Sequence, residues 1–209
     1  MRILITAGPT REFFDSVRFI SNPSSGKMGY AIAAQAADRG HEVILVSGPV
    51  GLQEPPGVHL VRVVSAEEMF KACVAEFDTC QCAVMTAAVC DYRPVTRLEH
   101  KLKKQNKPRT IQLEPTEDIL ANLGRVKGSR VVIGFAMEDH DHHAHAEEKL
   151  RRKHCDAIVL NGMSNVASDD ATVEILRAGG TWSAPSTGSK PQIASVIVDL
   201  VEELVSFCP

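Results

Sequence analysis

A run of small, polar and turn-forming residues, Ser21-Asn22-Pro23-Ser24-Ser25-Gly26-Lys27-Met28-Gly29, leads into an alanine-rich stretch from Tyr30 to Arg39 that reads as a helix. A helix start leaves backbone N–H groups without partners, and its dipole favours negative charge there. Two serine hydroxyls, a lysine and two glycines at that point make either a seat for an anion or a simple helix cap. The Gly26-Lys27 pair does not complete a phosphate loop. Gly-x-x-x-x-Gly-Lys-Ser/Thr needs glycine at position 21 and Ser or Thr at position 28, where the chain has Ser21 and Met28.

Other residues could share work with this stretch. Asp91 follows a short apolar run and is either a turn cap, an acceptor for a sugar hydroxyl or base, or a metal-linked carboxylate. Lys101, Lys103 and Lys104 form a basic run that is either a solvated face or a mobile cover for polyphosphate, where lysines would stabilise charge in transfer at phosphorus. Lys149 and Lys153 are spaced i, i+4 and share one helix face, either as an exposed flank or as a second pair of cations aimed at a triphosphate. His140, His142, His143 and His145 alternate with acidic residues, and at a helix start they read as a solvated polar stretch without a metal. There is no nucleophile elbow, no Cys-x-x-Cys pair and no Tyr-x-x-x-Lys pair.

These residues need a frame. Apolar runs at Arg2–Thr6, Glu42–Val46, Leu60–Val64, Cys82–Ala87, Val131–Phe135 and 156–160 read as strands, with helices at 30–39, 66–77, to about Leu123, and 144–154 between them. Ser65-Ala66-Glu67-Glu68 fits a capping box. The pattern predicts an α/β fold, a Rossmann-like, doubly wound, mostly parallel sheet. A β-hairpin of 172–177 with 181–183 follows, then a helix capped by Ser189 and running to about Val205. A basic flap occupies about 97–113, with an extended strand expected over 110–113, and the chain is a single domain, 1–209. The residues Gly8 to Arg11, Asp91 to Arg93, Phe135 to Glu138 and Asn161 all fall at strand ends, which in this architecture face one crevice. Gly-x-Gly-x-x-Gly is missing from the first strand end, since Gly8 stands alone before Pro9. That argues against a nicotinamide-dependent reductase.

The 209 residues carry a net charge of -3, with 44% hydrophobic and 23% charged residues. Such a chain builds a good core and gives no bulk attraction to nucleic acid or membrane. Six cysteines without motif spacing, and no signal peptide ahead of the first strand, suggest a reduced cytoplasmic protein.

Several strings together resemble phosphopantothenate–cysteine ligase of coenzyme A biosynthesis. They are Thr6-Ala7-Gly8-Pro9-Thr10-Arg11-Glu12, Val17-Arg18-Phe19-Ile20 running into the Ser21–Gly29 stretch, and Val46-Ser47-Gly48-Pro49. To these add Ala87-Ala88-Val89-Cys90-Asp91-Tyr92-Arg93-Pro94, Lys101-Leu102-Lys103-Lys104 and Gly134-Phe135-Ala136. The resemblance implies a homodimer that joins 4′-phosphopantothenate and L-cysteine, with CTP and Mg2+ in bacterial members, and a functional link to a phosphopantothenoylcysteine decarboxylase. It implies catalytic roles for Asn22, in the acyl step, and Lys101, in nucleotidyl transfer. It implies nucleotide contacts from Gly8, Ser24, Ser25, Gly26, Ala87, Ala88, Asp91, Glu117, Asp118, Ile119, Leu120, Phe135, Lys149 and Lys153. Glu117, Met137, Asp139 and Gly162 depart from the family's usual residues. A nucleotide-binding module without ligase activity is the alternative of a different class.

Overall fold

The computed structural model describes residues 1–137, 140–162 and 168–207. Along the chain, β1 (Arg2–Ala7) is followed by a small hairpin of β2 (Arg11–Phe13) and β3 (Phe19–Ser21), then α1 (Lys27–Asp38), β4 (Glu42–Ser47), β5 (Val58–Arg62) and α2 (Ala66–Phe77). Next come β6 (Cys82–Met85), β7 (Tyr92–Pro94), β8 (Leu113–Pro115) and α3 (Ile119–Val126). The remainder is β9 (Val131–Ala136), α4 (His142–Arg152), β10 (Ala157–Asn161), β11 (Asp170–Arg177), β12 (Ser186–Ser189) and α5 (Lys190–Ser206).

The central sheet has the order β12-β11-β10-β9-β6-β1-β4-β5. All pairs from β10 to β5 are parallel, and β11 and β12 add antiparallel strands at one edge. The parallel strands thus run third, second, first, fourth, fifth, sixth in chain order. This is the dinucleotide-binding arrangement, with its switch point between β1 and β6. Alternate residues of β1 feed two apolar layers, as a strand's two-residue period requires. Ile3, Ile5 and Ala7 pack with Ile32 and Ala33 of α1 and Ile193 and Ile197 of α5. Leu4 packs on the other face with Met69, Phe77, Leu123 and Leu150, from α2, α3 and α4. Fully burying each large side chain contributes about 1.5–3 kcal/mol.

The glycine fingerprint that the linear sequence lacks is assembled in space. Gly8 ends β1 with φ 74°, and Gly26 opens α1 with φ 75°. A Cβ on Gly26 would lie 3.3 Å from Gly8 Cα. One turn on, a Cβ on Gly29 would meet Thr86 Oγ1 at 2.5 Å, Ala7 Cβ at 2.6 Å and Thr6 O at 2.9 Å. Gly8, Gly26 and Gly29 therefore give the tight turn, the bare backbone and the close helix–strand packing of that motif. Residues 9–25, including the β2–β3 hairpin, are inserted between its first and second glycines. Gly26's left-handed backbone is also why α1 starts at Lys27 and not at Tyr30.

Other elements differ from expectation for local reasons. The expected strand over 110–113 survives only at Leu113, where β8 pairs with β7, and the pairing runs out with the single Val95 N to Gln112 O bond at 3.0 Å. The expected hairpin partner at 181–183 pairs with β11 only briefly, through the Trp182–Leu176 bridge and the Ser183 N to Ile175 O bond at 2.8 Å, and the longer ladder is made by β12. The third strand lies two residues earlier than read, where Val58–Arg62 match β4 in register. The fourth stops at Met85, beyond which Thr86 and Ala87 bond to Thr6. Ser65 caps α2 by accepting from Glu68 N at 3.2 Å, but the Glu68 carboxylate reaches one residue further back, to Val64 N at 2.6 Å. Glu12, buried in the β2 strand, accepts from Ala66 N at 2.8 Å and satisfies another orphan donor of that helix.

The flap is tied to the β2–β3 segment at Leu98 and Leu102. Asp15, fully buried between β2 and β3, accepts from Val17 N at 2.9 Å, Arg18 N at 2.7 Å, Arg18 Nε at 2.9 Å and Leu102 N at 3.0 Å. Arg18 Nη2 donates to Leu102 O at 2.8 Å, so both backbone groups of Leu102 are held. Leu98 N adds a bond to Phe14 O at 3.0 Å. The Arg18 guanidinium, with help from the backbone donors, holds the Asp15 carboxyl well below the usual carboxylate range.

Gly29→Ala should cost about 1–3 kcal/mol in a denaturant titration, because α1 cannot retreat from β1 without opening the core. Asp15→Asn should lower the melting temperature and speed tryptic cleavage at Lys103 and Lys104. A depressed carboxylate stabilises the fold above its unfolded pKa and loses that effect as pH falls toward its folded one. The difference between wild type and variant should accordingly be full above about pH 4 and shrink below it.

Candidate active-site cleft

A cleft of about 710 Å³ opens at the carboxyl ends of β1, β6, β9 and β10, on the switch point. The loop 22–26 and the first turn of α1 form one wall. Residues 85–89 form the floor, and the start of α3 with the last turns of α4 forms the opposite wall. Asn22, Ser24, Ser25, Gly26, Ala87, Ala88, Asp91, Glu117, Asp118, Ile119, Leu120, Phe135, Lys149 and Lys153 all line it. Two expected residues do not. Gly8 lies behind Gly26, and Lys101 is exposed on the flap, outside the lining.

The floor is rigid because β1 and β6 remain zipped past their strand ends. Ala87 N donates to Thr6 Oγ1 at 3.2 Å, Ala88 N to Gly8 O at 3.0 Å and Cys90 N to Thr10 Oγ1 at 2.9 Å. Thr116, on the far wall, is fastened to the same segment through Cys90 O at 2.6 Å and Asp91 O at 3.0 Å. Asn22 Nδ2 donates to Ala88 O at 3.1 Å and Val89 O at 3.0 Å. Two carbonyl acceptors fix the amide's orientation. Its remaining group is Oδ1, an acceptor.

The wall at α1 is built for anions. The Gly26 and Lys27 N–H groups have only long contacts to Ser24 Oγ, 3.4 Å, and Ser25 Oγ, 3.5 Å. No side chain caps the helix, so its first-turn donors and positive dipole end face the cleft. Across from it stand Lys149, Arg152 and Lys153, with Lys27 and Lys190 nearer. Most of these cations have protein partners. Lys27 Nζ lies 2.6 Å from Asp169, Lys153 is ion-paired with Asp118, and Lys190 Nζ donates to Ser168 O. Burial pushes the Lys153 ammonium below its ordinary pKa, opposed by the charge of Asp91. Burial, with the neighbouring Lys27, does the same to Lys190.

Two lining residues stand outside the sequence reading, Arg152 and Lys190. Arg152 is three residues past Lys149 on the same helix face, and helical spacing identifies it. Lys190 opens α5, far away in sequence, and only the fold brings it here. Glu117 lies 3.7 Å from Arg93, whose guanidinium also meets Glu114 at 2.9 Å and Glu67 at 3.5 Å. That acidic fan accounts for a carboxylate at this position of the wall. The expected features at Glu138, Asp139, residues 163–167 and Cys208 lie outside the described residues. Cys73, Cys80, Cys82, Cys90 and Cys155 are all buried and unbridged. Burial raises the thiol pKa of Cys73 and of Cys155 to about 12. Among the described residues no helix is long and apolar enough to cross a membrane.

Comparison with known proteins matches this geometry. The family model for the DNA/pantothenate metabolism flavoprotein C-terminal domain matches residues 1–205. The coenzyme A biosynthesis bifunctional protein CoaBC of Mycobacterium bovis is 41% identical over 99% of this chain and 53% of its own length. CoaBC of Vibrio cholerae is 43% identical over 97% of this chain and 52% of its own length. The chain thus spans about half the length of these curated relatives. The crystal structure of a C-terminal domain of CoaBC superposes with a TM-score of 0.85 at 41% identity, covering 98% of this chain and 95% of that one. With the fold, the switch-point cleft and the sequence all in agreement, the chain belongs to the DNA/pantothenate metabolism flavoprotein C-terminal domain family.

Proposed function

We propose that this chain is the ligase that joins 4′-phosphopantothenate to L-cysteine through an acyl-nucleotidylate, in coenzyme A biosynthesis. The observation that carries this reading is an uncapped α1 facing a row of cations on α4 across a switch-point cleft, in a chain of this family. Such a cleft takes a polyphosphate lengthwise. In the first step a carboxylate oxygen of phosphopantothenate attacks the α-phosphorus of the nucleotide, and pyrophosphate leaves. In the second the cysteine amine attacks the activated carbonyl carbon, the nucleoside monophosphate leaves with the C–O bond pair, and an amide forms.

The residues divide this work by their chemistry. Ser24, Ser25 and the first-turn N–H groups of α1 seat phosphate oxygens. Lys149, Arg152 and Lys153 balance the charge of the departing pyrophosphate. Phe135, half-buried at the end of β9, supports the base or ribose, and Asp91 accepts from a hydroxyl. Lys101 acts from the flap in the first step. Asn22, with both amide hydrogens spent on Ala88 and Val89, offers Oδ1 to the incoming amine in the second. The nucleotide is CTP, by the Lys-x-Lys-Lys flap. Mg2+ accompanies it and would neutralise the polyphosphate when bound, with Asp91 the carboxylate on the wall that would meet it. The protein works in the cytoplasm, beside a phosphopantothenoylcysteine decarboxylase, and as a homodimer. The adjacent β2–β3 and β7–β8 hairpins support the last point, since they expose Phe19, Ile20, Tyr92 and Leu113, an apolar surface suited to a second copy.

Given phosphopantothenate, cysteine, Mg2+ and CTP, the protein should release pyrophosphate and CMP in equal amounts. ATP should support this poorly. No pyrophosphate with either nucleotide refutes the ligase reading. In single-turnover experiments Lys101→Gln should block formation of the acyl-nucleotidylate, by about 100-fold or more. Asn22→Asp should still form it but pass it slowly to cysteine. If both variants stall at the same step, the division of roles is wrong.

A further inference from the structure

The start of α4, about two turns before Lys149, brings three metal-ligating side chains together. Asp141 precedes the helix with φ 45° and ψ 39°, a left-handed turn uncommon outside glycine. That turn folds His140 back toward His145, whose rings meet edge to face with centroids 5.0 Å apart at 85°. One ligating atom from each of His140, Asp141 and His145 lies within 4.8 Å of the other two. The three side chains are exposed or half-buried, and none lines the cleft. His143, in the same stretch, is engaged elsewhere, 3.2 Å from Glu174 and stacked at 4.5 Å on Trp182.

We propose that His140, Asp141 and His145 form a surface site for one transition-metal ion of the Zn2+, Co2+ or Ni2+ class, with water completing its coordination. Two imidazoles and one carboxylate are the donor set such borderline ions take, whereas Mg2+ and Ca2+ seek oxygen. Tetrahedral bonds of about 2.0–2.2 Å place ligand atoms about 3.3–3.6 Å apart, so the three atoms need only draw together by about 1 Å to close the site. The positive end of the α4 dipole opposes a cation, and the Asp141 carboxylate offsets that charge. The chain around the site is already turned into the required loop, so little backbone ordering accompanies binding. An ion there clips the residue before α4 to its second turn.

Isothermal titration of the wild-type protein with Zn2+, and the visible absorption of Co2+ during its titration, read the site directly. One ion per chain should bind with micromolar affinity, and millimolar Mg2+ should not displace it. His140→Ala and His145→Ala should each weaken Zn2+ binding by about tenfold or more. His59→Ala, at an exposed histidine elsewhere, should leave it unchanged. Zn2+ should raise the melting temperature of the wild type and not of His145→Ala. Zn2+ binding of equal strength in the wild type and both α4 variants, or displacement by Mg2+, overturns the proposal. So does failure of the wild type to bind Zn2+.

Discussion

The distance between the backbone of α1 and the end of β1 governs the rest of the molecule. At Gly29 there is no room for one more carbon atom. That contact sets how far the helix N-terminus reaches over the switch point, and hence where its unpaired N–H groups point. It also puts Gly26 against Gly8, so that two left-handed backbones form one turn from residues distant in sequence. The apolar layers under α1 and α5 then follow from strand alternation.

Much of this order was legible in the residues, and what was not has physical reasons. Apolar runs give away buried parallel strands, because both faces need covering. Helix caps at Ser65, Asp118 and Ser189 are local chemistry and are readable as such. The glycine fingerprint was hidden because an inserted hairpin separates its members, and no local pattern reports a contact across residues 9–25. The extension of the ladder from β11 to β12, beyond the short pairing at Trp182 and Ser183, is likewise a tertiary choice, made by register along β11. Most candidate site residues converge in the cleft because strand ends of this topology must. Lys101 lies apart, since its neighbour Leu102 is bound to the β2–β3 hairpin rather than to the sheet. Arg152 was within reach of helical spacing, whereas Lys190 depends wholly on where α5 docks.

The cleft stores its positive charge in pairs. Lys27 rests on Asp169, and Lys153 on Asp118. An arriving phosphate therefore exchanges partners rather than meeting bare cations. This moderates affinity, because each gained contact replaces one already made. It also keeps the cleft walls from repelling one another when nothing is bound. The zipped floor from Thr6 to Cys90 does not share in that exchange. Its Ala87, Ala88 and Cys90 amides are already committed to the β1 side, so it acts as a fixed template beneath side chains that re-pair.

The burial of the cysteines has a further meaning for a protein proposed to handle a thiol amino acid. Thiol–disulfide exchange proceeds through the thiolate, and a thiol raised to about 12 is almost entirely protonated at neutral pH. Cys90 is only 5% exposed although its neighbour Asp91 faces the cleft. The sulfur of a visiting cysteine thus finds no reactive sulfur among these buried residues. In the proposed reaction the amine of such a substrate is the reacting group, and these buried thiols do not compete for its sulfur.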